Sequence, residues 1–113
     1  MNTPLTLTSL GAPLMALRLF ADQFRHLPAP CISISTVYPN RLELSFHRDL
    51  DGFETWCQAL GIRPVNVRHS VQGGGTTRVL RAETDYSGGI VILIGYTAIP
   101  APDEARSRAE DDS

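Results

Sequence analysis

Lysine is absent from this chain: all ten positive side chains are arginine. A phosphate cradle of the glycine-loop type uses a lysine to reach the phosphates, so that chemistry has no donor here. The arginines run from Arg18 to Arg108 without clustering, which reads as a GC-rich coding bias and not as a bidentate anion-binding array. Cysteine is scarce, with only Cys31 and Cys57 in different segments. A small secreted scaffold held by disulfides would carry more, behind a leader. Residues 1–17 hold no positive side chain, so the basic start of a signal peptide is missing. The longest apolar run, residues 89–99, falls well short of the ~20 residues that a membrane-spanning helix needs. A formal net charge of -2 gives no overall attraction to nucleic acid or to an anionic membrane. These absences together predict a cytoplasmic protein with both thiols reduced.

What is present is amphipathic patterning. With 113 residues, 42% of them hydrophobic, the chain suits one domain with short tails. Residues 1–12 have no clear period and read as an N-terminal arm that docks through Leu5, Leu7 and Leu10. Residues 13–27 read as a helix. Pro13 suits its first turn, and Leu14, Leu17, Ala21, Phe24 and Leu27 form the apolar stripe, widened by Phe20. Pro28 and Pro30 stop it. Residues 49–60 read as a second helix, capped by Asp49 or Asp51, with Leu50, Phe53, Cys57 and Leu60 on the stripe and Trp56 at its edge. Gly61 is placed for the left-handed residue that ends a helix, with Ile62 as its hydrophobic contact.

Strand periods fill the rest. CISISTVY alternates Ile32, Ile34 and Thr36 against Cys31, Ser33, Ser35 and Val37, and Pro39-Asn40 supplies turn chemistry. RLELSFH then places Leu42, Leu44 and Phe46 on one side, so residues 31–47 predict an antiparallel hairpin. Val65, Val67, His69 and Val71 alternate in the next strand, a Gly73-Gly74-Gly75 loop follows, and TTRVLRAETDY is a longer strand. Ser87-Gly88-Gly89 turns it into IVILIGYTAI, which is apolar on both faces: Ile90, Ile92, Ile94 and Tyr96 on one, Val91 and Leu93 on the other. Such a strand is covered on both sides. Residues 100–113 are polar, net acidic and aperiodic, and predict a disordered tail. The expectation is an α+β two-layer sandwich over residues 13–99, in the order α-β-β-α-β-β-β. Its five-stranded antiparallel sheet carries two helices on one face.

The chemistry-bearing residues have ordinary structural explanations. The glycine triplet lies between strands and not before a helix. His26, His47 and His69 have no ligand spacing with one another or with the cysteines. Cys57 sits on an apolar helix stripe, where a reactive thiol is out of place. Asp49, Asp51 and Glu54 are accounted for by capping and the helix dipole. No catalytic residue, cofactor or metal is therefore assigned.

The outer sheet face is the feature left over. It is expected to present Cys31, Ser33, Ser35 and Val37 beside one apolar row of the last strand, covered either by a partner or by residues 1–12. The leading reading is a non-enzymatic binding or regulatory module. It would be homodimeric through the outer sheet face or a sheet edge, with Ser33, Ser35, Val37, Val91 and Leu93 at the interface. One alternative is a nucleic-acid-associated accessory protein that uses Arg63, Arg68, Arg78 and Arg81. Another is a small-ligand domain or enzyme with a pocket between the second helix and the sheet, near Trp56 and His47. Residues 38–61, YPNRLELSFHRDLDGFETWCQALG, with the later VQGGGTTRVLRAET, resemble small uncharacterised proteins of high-GC actinobacteria. The resemblance implies a bacterial cytoplasmic protein and transfers no activity or catalytic residue.

Overall fold

The computed structural model describes residues 5–99. A 3-10 turn at Leu7–Leu10 leads into α1 (Gly11–Gln23), followed by β1 (Cys31–Ser33), β2 (Arg41–His47) and α2 (Leu50–Ala59). A second 3-10 turn at Pro64–Asn66 precedes β3 (Arg68–Gln72), β4 (Thr77–Tyr86) and β5 (Gly89–Ala98). The fold is α+β, with two α-helices and one five-stranded sheet of order β1-β2-β5-β4-β3. Neither helix is long and apolar enough to cross a membrane.

The sheet is mixed, which corrects the all-antiparallel expectation. β1–β2, β3–β4 and β4–β5 are antiparallel neighbours, while β2 and β5 run parallel from Arg41↔Ile90 to His47↔Tyr96. The reason is connectivity. A parallel pair needs a crossover of a dozen or more residues, commonly through a helix, and α2 with the β3–β4 hairpin supplies it. β5 therefore lies at the centre of the sheet, which is why both of its faces are apolar.

Register defines the core. Leu42, Leu44 and Phe46 lie beside Val91, Leu93 and Gly95, which in turn lie beside Thr84, Ala82 and Leu80. Onto this row pack Ala16 and Phe20 of α1 and Phe53, Trp56 and Cys57 of α2. Each fully buried large apolar side chain here contributes roughly 1.5–3 kcal/mol.

α2 forms where its punctuation sets it. The Asp49 carboxylate accepts from the Gly52 N–H at 3.0 Å, satisfying one of the free donors of the first turn. At the other end Gly61 adopts φ +74°. Its N–H donates to Gln58 O (3.1 Å) and that of Ile62 to Cys57 O (2.8 Å), the paired bonds of a Schellman stop.

α1 differs from expectation in two ways. It starts two residues earlier and ends at Gln23. Pro28 has no N–H to bond the Phe24 carbonyl, which instead accepts from Leu27 at 2.9 Å. Its buried face is also rotated: Pro13, Ala16 and Phe20 point inward, while Leu14 is 38% exposed. Small side chains allow that approach; a Cβ added at Gly89 would lie 3.1 Å from that of Ala12.

Two strands are shorter or shifted. β1 ends at Ser33. The Ser35 hydroxyl then accepts from the Val37 N–H at 3.0 Å, diverting a backbone donor into a local turn. At the next strand, Pro64 opens a 3-10 turn in which Asn66 N–H donates to Arg63 O at 2.9 Å, so Val65 and Asn66 do not join β3. The described part of the N-terminal arm, residues 5–12, winds into α1. The remainder of the arm and the tail at 100–113 lie outside the described residues.

Candidate functional site

The face of the sheet opposite the helices is built from alternating rows. β5 contributes Ile90, Ile92, Ile94 and Tyr96, flanked by Arg41, Glu43, Ser45 and His47 of β2 and by Asp85, Glu83, Arg81 and Val79 of β4. Beyond these lie Cys31 and Ser33 of β1 and Arg68, Ser70 and Gln72 of β3. Among the described residues no helix packs here, yet Ile92 and Ile94 are only 3% and 8% exposed. The long side chains on either side shield them. Above the two isoleucines is a hollow of about 130 Å³, walled by Arg41, Glu43 and Arg81 and edged by Ser33, Ser35 and Tyr38.

The charges around the hollow are loosely partnered. The Arg41 guanidinium lies 4.2 Å from the centre of the Tyr38 ring. Such stacking leaves the guanidinium donors free in its plane. Arg81 meets Glu83 at 3.6 Å, with both side chains about half exposed, so the pair is worth little. Arg81 also stands directly opposite Arg68 on the neighbouring strand, an unfavourable cross-strand pairing of like charges.

The residues expected at an interface divide. Ser33 and Ser35 edge the hollow, and Val37 stands 73% exposed in the loop after β1. Val91 and Leu93 are under the helices, because the register aligns them with Leu42 and Leu44. The outward row is the other one, headed by Ile92 and Ile94. The four arginines divide as well. Arg68 and Arg81 are neighbours on the outer face, Arg78 pairs with Val71 and Thr97 on the opposite face, and Arg63 precedes the second 3-10 turn.

Trp56 and His47 are on opposite sides of the sheet and form no common pocket. Trp56 is buried among Phe20 and Phe24, with Nε1 donating to Pro28 O at 2.7 Å. His47 stacks on Tyr96 at 4.8 Å on the outer face. The pocket against α2 lies further along, a groove of about 300 Å³ with Phe53, Cys57, Ile62, Val67 and Leu80 as its apolar wall and Glu54 and His69 at the rim. The structure thus brings Cys57 and His69 to one groove, which their separate elements did not reveal. Burial, reinforced by Glu54, pushes the Cys57 thiol up to about 11. It stays protonated at neutral pH, the reverse of an activated nucleophile. Among the described residues no group of three or more His, Cys, Asp or Glu side chains is placed to hold a metal ion.

The last surface is an edge. Among the described residues β3 pairs only with β4, and all five of its residues are exposed. Val71 on the strand and Val65 just before it are 57% and 79% exposed. No family model, curated protein or solved structure matches the chain.

Proposed function

We propose that the protein is a non-enzymatic binding module that acts as a homodimer through the β3 edge. The observation that carries this reading is a five-residue strand whose every residue is exposed and one side of which is unpaired among the described residues. Such an edge is a template for another strand. β1 offers only three residues. The outer face offers little apolar surface, since Ile92 and Ile94 are already shielded.

The β3 sequence suits antiparallel self-pairing. A two-fold axis at Ser70 places Arg68 opposite Gln72 of the second copy, and His69 opposite Val71. No arginine then faces an arginine, and Val71 is covered. Sedimentation equilibrium on the full chain tests this. The wild type is expected to dimerise. Ser70→Asp and Ser70→Lys are each expected to be monomeric, because like charges meet on the axis, and an equimolar mixture of the two is expected to restore the dimer. A wild type that stays monomeric at high concentration overturns the proposal.

A further inference from the structure

We propose that the hollow on the outer sheet face binds a small zwitterion, an α-amino acid with a short aliphatic side chain. Arg41 and Glu43 stand two residues apart on one face of β2, so their Cα atoms are separated by roughly 7 Å. They carry opposite charges but form no ion pair with each other; among the described residues the one ion pair is Arg81–Glu83. Arg41 is held over the Tyr38 ring instead. The hollow is thus lined by a separated positive and negative group with a second guanidinium, Arg81, across the strand.

Ligand classes can be weighed against that set. A simple anion satisfies the guanidiniums and meets the Glu43 carboxylate. A simple amine satisfies Glu43 and meets two guanidiniums. A ligand with adjacent carboxylate and ammonium groups satisfies both, the carboxylate taking charge-assisted bonds from Arg41 and Arg81 and the ammonium donating to Glu43. The floor of Ile92 and Ile94 suits a hydrocarbon side chain. A volume of about 130 Å³ is small beside the roughly 300–1,000 Å³ of sites for drug-sized ligands, which limits that side chain to a few carbons. The Arg68–Arg81 opposition adds positive potential at the Arg81 end of the hollow, offset in part by Glu83. Arg41, Glu43 and Arg81 lie on β2 and β4, off the β3 edge, so binding through them and dimerisation are tested separately.

The test is an amide and arginine-Nε NMR titration of the full chain at low ionic strength with L-valine, isovalerate, isobutylamine and inorganic phosphate. L-Valine is expected to give saturable shifts centred on Ser33, Glu43, Ile92 and Arg81. It is expected to bind at least about tenfold more tightly than isovalerate or isobutylamine, as loss of one charge-assisted group implies. Arg81→Gln and Glu43→Gln are each expected to weaken L-valine by about tenfold to a hundredfold. Both variants alter partly exposed side chains, and an unchanged amide spectrum elsewhere verifies their fold. Glu43→Gln is also expected to strengthen isovalerate, a gain that no loss of folding produces. Phosphate or isovalerate binding as tightly as L-valine overturns the proposal in favour of a plain anion site. The absence of saturable shifts with any of the four overturns it outright.

Discussion

The ring of Phe53 lies so close to Gly95 that a Cβ on the glycine would stand 3.2 Å from the ring's Cγ. Leu50 closes the same space, 3.4 Å from that point. This is where α2 seats on the central strand. Gly95→Ala is expected to destabilise the fold by about 1–3 kcal/mol through overpacking, and Gly95→Val by more. Urea denaturation checks both, and an unchanged midpoint would mean that α2 shifts without cost.

The turn between β4 and β5 predicts the opposite sign. Tyr86 pairs with Gly89, leaving Ser87 and Gly88 as a two-residue loop with φ of 51° and 82°. Both positive angles mark a type I′ turn, for which Asn-Gly is preferred. Serine in the left-handed region is strained, whereas asparagine tolerates it. Ser87→Asn is expected to stabilise the protein by about 0.5–1 kcal/mol, read as a higher thermal midpoint.

Cys57 makes stability depend on alkaline pH. Its ordinary value of 9.0 applies to the unfolded chain and about 11 to the folded one. Above pH 9 the unfolded state loses the thiol proton while the folded state keeps it. The contribution is therefore fully present below pH 9 and is lost as the pH rises through about 11, up to roughly 3 kcal/mol. Cys57→Ala removes this part of the dependence. Denaturation of wild type and variant at pH 8 and pH 11 is expected to show the gap between them narrowing. A constant gap would contradict it.

What was legible in the sequence is what short-range chemistry decides. The Asp49 cap, the Gly61 stop and the Ser87-Gly88 turn each depend on residues within a few positions, and the element order follows from such signals. The parallel pairing of β2 with β5 depends on two segments separated by the whole stretch from Arg48 to Gly88. Ile90–Ile92–Ile94 and Val91–Leu93 are equally apolar rows. Only the neighbour across the strand, Leu42–Leu44, decides which row goes inward. The hollow could not be read for the same reason, since Arg41 and Arg81 share it only because β5 separates β2 from β4. A pocket shared by Trp56 and His47 needs both on one side of the sheet, and the strand period of β2 with the helix period of α2 does not say which side of the sheet α2 covers.

The strand at the middle of the sheet is the last of the five to leave the ribosome. Until residues 89–98 emerge, the β1–β2 and β3–β4 ladders have no strand to join them, and Leu42, Leu44 and Phe46 lack the partners that cover them. Assembly of the sheet thus waits until β5 has been made. A chain cut short after Tyr86 would retain both α-helical sequences and four of the five strands, yet have no sheet to fold onto. Such a product offers exposed apolar rows to chaperones and proteases.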